Sequence, residues 1–533
     1  MTGRAYGLIL ISLTAAGCKV GPDYRPPTMA APPNWSGLKS DMTNSPRVGP
    51  TTRPTTQPAD VAMWWRNLDD PTLDSLISRA IATNLNLKVA TARIREARAQ
   101  RQSAAAGLWP QIGLSGSYRY SGTSLNTGPE ASGGTSLLKD ARNTAISSAV
   151  QSLAADQSIN AEQLASGTLS QVLTKAINNR FTDSNQTSHR GQNLFQAGFD
   201  ATWELDVFGG VSRAVEAAEA DIMASVEDRR ATMVSLASEV ALDYVQMRGY
   251  QQRLAIALQN IESQRGTVEL TEQRLSAEFA SRLEVAQAKT QLAATTSQVP
   301  VLQDAIRQTI YQLSTLLGLT PEALVAELET TAALPVNPPA IPLGLPSDLL
   351  RRRPDIRSAE RQLAAATARI GEATADLFPK FSLSGSFGAQ SRDINHVLDH
   401  NSLIWGIGPA VSWPIFQGGR VRANIEIQNA RQEQALAAYE LTVLSAFKEV
   451  EAALSAYLHE QTRHQSLAAA VQTSQEAAEL STRLYSGGMG AFLNVLEAQR
   501  TLYSSQDALI QSDIAVITDL IALYKALGGG WEG

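Results

Sequence analysis

The chain has 533 residues, a formal net charge of -6 and a hydrophobic content of 44%. This slight acidity argues against a general nucleic-acid binder, whose surface is basic. The single cysteine, Cys18, excludes disulfide bonds within the chain and a thiolate metal cage. Length alone allows several domains, so the order of elements along the chain has to decide the architecture.

The N-terminus is typical of a bacterial lipoprotein. Arg4 precedes a short apolar run, Leu8 to Leu13, and small residues lead up to Cys18. We therefore predict a signal peptide over residues 1–17, cleaved so that Cys18 becomes the first residue and carries palmitate-type acyl chains. The alternative is an ordinary signal peptide that contains a free cysteine. The apolar run is too short for a membrane-spanning helix.

Proline and threonine dominate the next segment, residues 18–62, which predicts an extended, lipidated tether. Asp70-Pro71 then indicates the start of a helix, because proline is favoured at the first helical position. The helical pattern runs to Ala106-Gly107, and Pro110 ends it.

The sequence contains an internal duplication. The segment Leu108 to Tyr118 returns as Leu377 to Phe387, 269 positions later. Further along, Trp203 returns as Trp413 with an offset of only 210, so the first copy carries 59 extra residues between these points. A period this long indicates a duplicated domain. The first repeat is predicted at 63–333, with an inserted outer loop at 122–193. The linker is predicted at 334–346 and the second repeat at 347–533.

Four segments alternate apolar and polar residues with the period of a β-strand. The first of them places Ile112, Leu114, Tyr118 and Tyr120 on one face. Each segment is about as long as a tilted strand that crosses a bilayer. A half-buried sheet in a soluble domain would explain any one of them, but it explains four with this regular placement less well. The predicted strands lie near 111–121, 194–206, 380–390 and 402–414.

Each repeat continues into a long helix and a shorter return helix. Gly210 to about Glu278 contains almost no helix breakers, which predicts helical structure about 100 Å long at about 1.5 Å per residue. Its return segment runs from Arg282 to Leu317. In the second repeat the outgoing segment is Arg420 to Tyr485 and the return segment is Phe492 to Leu527.

Four strands per chain are too few to close a membrane barrel, and lipid cannot satisfy the hydrogen bonds of two open edges. Neighbouring copies must supply these bonds. Two copies would give eight strands around a core filled by side chains, whereas three copies give a 12-stranded barrel with a lumen. The sequence therefore predicts a mixed α and transmembrane β fold, in which a trimeric 12-stranded barrel continues as a long periplasmic α-helical barrel.

Short strings distributed along the chain carry a family resemblance. They are Cys18 to Tyr24, Trp64-Trp65, Arg352 to Ile356, Ala359 to Arg361, Ile370 to Ala373, Pro414 to Gly419, Val495 to Arg500 and Leu527 to Trp531. Together they resemble the NodT-type outer-membrane efflux lipoproteins, relatives of OprM and TolC. The resemblance implies a homotrimeric exit duct for drugs or other small toxic compounds, and hence a role in antibiotic resistance. It also implies two partners, a periplasmic membrane-fusion adaptor and an inner-membrane RND transporter.

The final helix carries a candidate gate. Leu493, Glu497 and Arg500 are spaced i, i+4 and i+7, which places them on one helical stripe. The resemblance implies that this stripe forms the closed periplasmic aperture, with Glu497 in place of the family's usual aspartate. The alternative is a solvated Glu497–Arg500 pair, worth roughly 0.5 kcal/mol. The charges occur in one repeat only, since the duplicate positions are Leu283, Gln287 and Thr290.

The two reversals between long helices are candidate docking tips for the adaptor. A high glycine density permits a tight turn in the second reversal, and a hairpin end is where a partner can dock end-on. A plain turn would have the same sequence. By resemblance, the contact residues are Phe279, Ala280, Ser281, Arg282, Gly487, Gly488, Met489 and Gly490.

The sequence shows no catalytic pattern, because no nucleophile–base–acid order, phosphate-binding loop or dinucleotide fingerprint follows a predicted strand. His396 and His400 are spaced for one helical face but fall in a short loop, so a metal site there is disfavoured. We expect a passive channel without enzymatic activity, without a cofactor beyond the covalent lipid on Cys18, and bound to outer-membrane lipid but not to nucleic acid. Two alternatives stay open, an exit duct for type I protein secretion and a lipid-anchored periplasmic coiled-coil scaffold.

Overall fold

The computed structural model describes residues 19–30, 32, 33, 35, 61–122, 191–334 and 346–531. The predicted signal peptide, Cys18, most of the Pro-rich segment, almost all of the insertion and the body of the linker lie outside these residues. The chain divides into two compact units. The larger unit takes its residues from Met1–Leu108, Asp206–Lys380 and Ser412–Gly533, and the smaller from Trp109–Leu205 and Phe381–Val411. None of the described helices combines the length and the apolar character that crossing a membrane requires.

The larger unit is helical. Two of its helices have 67 residues each, so each is about 100 Å long at about 1.5 Å per residue. In chain order the helices are α1 (Pro71–Thr83), α2 (Leu85–Ala106), α3 (Gly210–Ser276), α4 (Arg282–Thr296), α5 (Gln298–Leu316), α6 (Val325–Leu328), α7 (Pro346–Arg352), α8 (Pro354–Ala375), α9 (Arg420–Ser486) and α10 (Phe492–Ala526).

The helical pattern between Pro71 and Ala106 predicts one helix, but the structure has two. The break lies at Asn84, whose side-chain oxygen accepts a hydrogen bond from the Leu87 amide at 3.1 Å and so caps α2. The amide nitrogen of Asn84 donates to the Leu316 carbonyl oxygen at 2.8 Å. This second bond depends on α5, which is distant in sequence, so local periodicity could not indicate the break.

The return segment of the first repeat is also divided. α4 ends at Thr296 and α5 begins at Gln298, with Ser297 between them. Pro300 lies in the first turn of α5, where its missing N–H is tolerated, whereas inside a continuous helix it would remove a backbone hydrogen bond. The proline therefore explains why one predicted segment became two helices.

The duplication is visible in the element bounds. The bounds of α2 and α8 differ by 269 at both ends, and those of α3 and α9 differ by 210 at both ends. α2 packs along α3, and α8 packs along both α9 and α3. α9 and α10 pack along each other as a hairpin, and α10 also packs along α3.

A hydrophobic core lies where α1, the middle of α3, α5 and the end of α10 meet. Trp64 stacks on Tyr524 with ring centroids 5.3 Å apart, and both side chains are fully buried. Each large apolar side chain in such a core contributes about 1.5–3 kcal/mol by leaving water. The Tyr244 hydroxyl donates to Asp70 Oδ2 at 2.7 Å, while Asp70 Oδ1 caps α1 by accepting from the Thr72 amide at 2.9 Å. The start of α1 is thereby tied to α3.

The smaller unit is a four-stranded sheet in the order β1-β2-β3-β4. β2 pairs antiparallel with both β1 and β3. The register aligns Leu114 with Phe199 and Phe199 with Phe387, so the alternating apolar residues of three strands form one continuous face. The strands are β1 (Gln111–Ser121), β2 (Gln192–Leu205), β3 (Lys380–Ser391) and β4 (Leu403–Ser412).

Both outer strands expose large apolar side chains. On β1, Ile112 and Leu114 are each 74% exposed, and on β4, Trp405 and Ile407 are 77% and 72% exposed. Every residue of β1 is exposed, whichever face of the sheet its side chain lies on. The apolar face therefore has no cover among the described residues, unlike the core of the larger unit.

Candidate functional site

The first hairpin tip joins α3 to α4. Glu278 adopts a left-handed conformation with φ of 64°, which reverses the chain, and the Phe279 amide donates back to the Arg274 carbonyl at 2.8 Å. Ser281 caps α4 by accepting a hydrogen bond from the Glu284 amide at 3.3 Å. Of the predicted contact residues, Phe279, Ser281 and Arg282 are exposed and Ala280 is half-buried.

The second tip joins α9 to α10. Gly488 has φ of 76°, a value that glycine adopts without strain, and the Met489 amide donates to the Leu484 carbonyl at 2.9 Å. Met489 is 76% exposed at the outermost part of the turn. The predicted residues Gly487 and Gly488 are exposed as well, while Gly490 is half-buried.

Polar contacts join the two tips. The Tyr485 hydroxyl donates to Glu284 Oε2 at 2.7 Å, and Arg274 Nη1 donates to the Tyr485 carbonyl at 2.9 Å while its guanidinium lies 4.6 Å from the Tyr485 ring centroid. Burial, followed by the hydrogen bond to Glu284, raises the pKa of Tyr485 to about 12, so the hydroxyl stays protonated as a donor at neutral pH. Phe492 packs on the Tyr485 ring at 5.4 Å. These contacts hold the end of α9 against the start of α4.

The tip contacts were not predicted from the sequence. Tyr485 and Glu284 are 201 residues apart, and the repeats do not share them, since the duplicate of Tyr485 is Leu275. The one available signal was an aromatic residue directly before the Ser486-Gly487 turn.

The structure places Leu493, Glu497 and Arg500 on one exposed stripe of α10. Leu493 is 61% exposed, while the opposite side of the helix buries Val495 and Leu496. This stripe therefore lies outside the chain's own core.

The alternative, a solvated Glu497–Arg500 pair, is not formed among the described residues. Arg500 Nε donates instead to Gln291 Oε1 on α4 at 2.7 Å. Glu497 has no hydrogen-bond or ion-pair partner in the part of the chain that the structure describes.

The duplicate stripe on α4 differs in chemistry. Leu283 is 66% exposed, much like Leu493, but Gln287 is half-buried and Thr290 Oγ1 donates to the Ala286 carbonyl of its own helix at 2.8 Å. The first repeat thus presents a leucine without the charged groups, which makes it a matched control for the candidate gate.

The chain just after Cys18, itself outside the described residues, is tied to the larger unit. The Val20 amide donates to the Phe208 carbonyl at 3.2 Å, and buried Arg213 donates from Nη2 to Asp23 Oδ1 at 2.8 Å. The hydrogen bond and charge of Arg213 hold the pKa of the Asp23 carboxyl below its ordinary value. A lipid on Cys18 would therefore be attached close to a fixed point on the protein.

The histidines form no metal centre among the described residues. His396 Nδ1 lies 2.7 Å from Asp399 Oδ2 in the exposed connection between β3 and β4, and His464 Nε2 lies 2.6 Å from Asp513 Oδ1 between α9 and α10. Nowhere in the described ranges do three groups of metal-ligating type come together.

Solved structures define the class of this fold. The outer-membrane channel OprN matches with a TM-score of 0.79 and 33% identity, over 97% of this chain and 100% of that chain. The four-stranded sheet, the paired long helices and their two tips are thus those of an outer-membrane channel subunit.

The chain belongs to the outer membrane efflux protein family, whose model matches residues 76–319 and 345–529. It is 32% identical to the pyoverdine export outer membrane protein OpmQ of Pseudomonas aeruginosa, over 100% of this chain and 98% of that protein. It is also 30% identical to nodulation protein T of Rhizobium leguminosarum bv. viciae, over 98% of this chain and 92% of that protein. The resemblance to NodT-type efflux proteins is confirmed, and the family is one of transport proteins.

Proposed function

We propose that this protein is the exit duct of a tripartite RND-type efflux pump, a homotrimer that carries drugs or other small toxic compounds across the periplasm and the outer membrane. The four-stranded sheet supports this proposal most strongly, because it has one continuous apolar face and, among the described residues, no further strand pairs with either of its edges. Such a sheet is unstable in water and in lipid unless other strands pair with its edges. Three copies supply 12 strands, close the barrel and leave a lumen.

The helices of the larger unit would continue the duct into the periplasm. Six 67-residue helices, two from each copy, would then surround one axis, each about 100 Å long. Because such a duct has no chemistry of its own, the energy for export would come from the inner-membrane transporter. The protein would need no cofactor other than the lipid on Cys18, which adds a second attachment to the outer membrane.

The stripe on α10 would form the periplasmic gate. Three copies of Glu497 around the axis repel one another when they are ionised, and Leu493 adds an apolar ring one helical turn nearer the tip. Arg500, held by Gln291, would supply compensating positive charge. A closed state balanced in this way can be opened by a partner that moves the hairpins apart.

The two tips would receive the periplasmic adaptor. Phe279 and Met489 are 75% and 76% exposed at the ends of neighbouring hairpins, and such apolar side chains on an otherwise polar surface are typical of contact sites. Arg274 and Glu284 couple the tips to each other. An adaptor that grips both tips could therefore move α9 and α10 relative to α4.

Two experiments test this function. Outer membranes from cells expressing the full chain should yield a trimer that resists mild heating in detergent, and deletion of the gene should raise the intracellular level of a fluorescent pump substrate. Release of a monomer by removal of the acyl chains would support the scaffold alternative. Loss of a secreted polypeptide with unchanged dye accumulation would support the type I secretion alternative.

A further inference from the structure

A polar cavity lies between α3 and the hairpin of α9 and α10. Its volume of about 510 Å³ falls within the range of about 300–1,000 Å³ that is typical of small-molecule sites. At about 30 Å³ per molecule, it has room for about 17 waters. Of its twelve lining residues, only Ala478 and Leu502 are apolar. An occupant of this cavity therefore has to be polar.

Gln264 is the most deeply buried polar residue of the lining. It is 3% exposed, and neither its amide nitrogen nor its amide oxygen has a hydrogen-bond partner among the described residues. A donor and an acceptor that are buried without partners lower the stability of the fold. An occupant that accepts from the nitrogen and donates to the oxygen would remove that cost.

Two further amides of the lining are held in fixed orientations. Asn260 Nδ2 donates to Gln506 Oε1 at 3.0 Å, and Gln499 Nε2 donates to Thr267 Oγ1 at 2.8 Å. The other polar atom of each glutamine, Gln506 Nε2 or Gln499 Oε1, has no partner in the part of the chain that the structure describes. The cavity thus offers one more donor and one more acceptor.

Glu479 and Arg483 contribute the two charges of the lining, and both side chains are exposed on α9. Glutamate four residues before a basic residue is the favourable orientation for an ion pair on a helix, yet these two form no ion pair within the described ranges. Arg483 Nε donates instead to the backbone carbonyl of Glu479 at 3.4 Å, and Gln475 Nε2 donates to Glu479 Oε1 at 3.4 Å. One carboxylate and one guanidinium are therefore available beside the cavity.

We propose that this cavity binds a small zwitterion of the amino-acid class. The ammonium group of the ligand pairs with Glu479, and its carboxylate pairs with Arg483, whose guanidinium can hold a carboxylate through two parallel hydrogen bonds. The Cβ atoms of residues four apart on a helix are about 5–6 Å apart, so one α-amino acid can contact both groups. A polar side chain on the ligand reaches Gln264.

The charges of the lining favour a zwitterion over the other classes of small molecule. Glu479 repels a simple anion, Arg483 repels a simple cation, and an apolar compound finds almost no apolar wall. A neutral polyol satisfies the amides but leaves both charged groups without a partner. Only a ligand that carries both charges matches the whole lining.

The site is distinct from the candidate gate. Gln506 lies nine residues beyond Glu497 on α10, which places the two on opposite sides of the helix at about 100° per residue. Because the lining comes from α3, α9 and α10, a bound ligand would strengthen the contact between these helices. A ligand that binds only the folded chain also raises its unfolding temperature.

Titration calorimetry of the purified full chain in detergent tests the site, with L-glutamine as the probe because it combines the zwitterion with a side-chain amide. L-Glutamine should bind saturably. N-Acetyl-L-glutamine, which lacks the ammonium, and glycerol, which lacks both charges, should bind about tenfold more weakly or less, since each loses a charged hydrogen bond. Absence of saturable L-glutamine binding, or equal binding of all three compounds, would overturn the proposal and leave water as the occupant.

Three variants test the assigned contacts. Glu479→Gln and Arg483→Gln should each weaken L-glutamine binding by about tenfold or more, whereas Glu476→Gln, at an exposed carboxylate of α9 outside the lining, is the matched control. Unchanged affinity in both Glu479→Gln and Arg483→Gln would contradict the assigned pairing. The site lies within one chain, so a negative result here would leave the proposed duct intact.

Discussion

Gln264 is a buried amide on α3 that has no hydrogen-bond partner among the described residues. It lines a cavity of about 510 Å³ between α3, α9 and α10, together with other amide and hydroxyl side chains. An unpaired buried polar group costs about 1–3 kcal/mol, and water entering the cavity offsets part of that cost. The position is therefore a local weakness in the contact between the two hairpins.

Gln264→Leu should stabilise the protein by about 1 kcal/mol, because leucine has a similar volume and no polar atoms to satisfy. Gln251→Leu is the matched control. Gln251 is equally buried on the same helix, but its Nε2 donates to the Leu328 carbonyl at 2.8 Å, so its replacement should destabilise. Thermal unfolding followed by circular dichroism would measure both changes, and shifts of the same sign would refute this explanation.

The half-buried carboxyl of Asp243 on α3 makes the stability of the fold depend on pH. Burial, with a smaller contribution from Glu239, raises the pKa of its carboxyl from the ordinary value of 3.8 to about 6. The unfolded chain therefore loses this proton at lower pH than the folded chain does. The group destabilises the fold increasingly as the pH rises from about 4 to about 6, and its full cost remains above that range.

Asp243→Asn should remove this effect. At neutral pH the free energy of unfolding of the variant should exceed that of the wild type by on the order of 1 kcal/mol, so the variant should unfold at a higher temperature. The difference should shrink toward pH 4. The same substitution at an exposed position, Asp304→Asn on α5, is the matched control. Parallel profiles for wild type and Asp243→Asn would contradict the assigned cause.

At the scale of elements, the hairpins meet at their tips through few polar contacts. The Tyr485–Glu284 bond joins α9 to α4, and hydrogen bonds to charged groups contribute about 1.5–3 kcal/mol. Tyr485→Phe should raise the probability of the open state by about tenfold, equivalent to about 1.4 kcal/mol. Single-channel recording would measure it. Tyr503→Phe, a change on α10 away from the tips, should have no such effect, and equal open probabilities in all three proteins would exclude a role for the bond.

The elements themselves were predictable where local pattern decides them. The four strands follow from alternation, and the two long helices follow from the lack of breakers between Gly210 and Glu278 and between Arg420 and Tyr485. The division at Asn84 was not predictable, because it depends on the Leu316 carbonyl of a distant helix. The contacts between the two tips were not predictable for the same reason. Side-chain bonds between elements far apart in sequence leave no periodic signal.

For the candidate gate, the sequence predicted the position of the residues on the helix but not their contacts. Helical spacing was sufficient to put Leu493, Glu497 and Arg500 on one stripe. It could not show that Arg500 bonds to Gln291 in preference to Glu497, because that choice depends on how α4 packs beside α10. The role of the stripe as an aperture stays a prediction.

At the scale of the whole molecule, the barrel and the lipid would be two independent attachments to the membrane. A closed barrel holds a protein in the bilayer far more firmly than acyl chains do. Cys18→Ser, behind a signal peptide that does not require lipidation, should therefore still give outer-membrane trimers. Membrane fractionation followed by a detergent gel would show them. A soluble periplasmic monomer would mean that the lipid alone anchors the protein.

In the proposed duct, three copies enclose a lumen whose narrow end is closed by Leu493 and Glu497. Conductance of purified trimers in planar lipid bilayers tests it most directly. The double variant Leu493→Ala with Glu497→Ala should widen the aperture and conduct more than the wild type, and cells carrying it should admit vancomycin. The control variant Leu283→Ala with Gln287→Ala should change conductance less, since that stripe lacks the charges. Equal conductance of the wild type and the Leu493/Glu497 variant, both as correctly assembled trimers, would contradict the account.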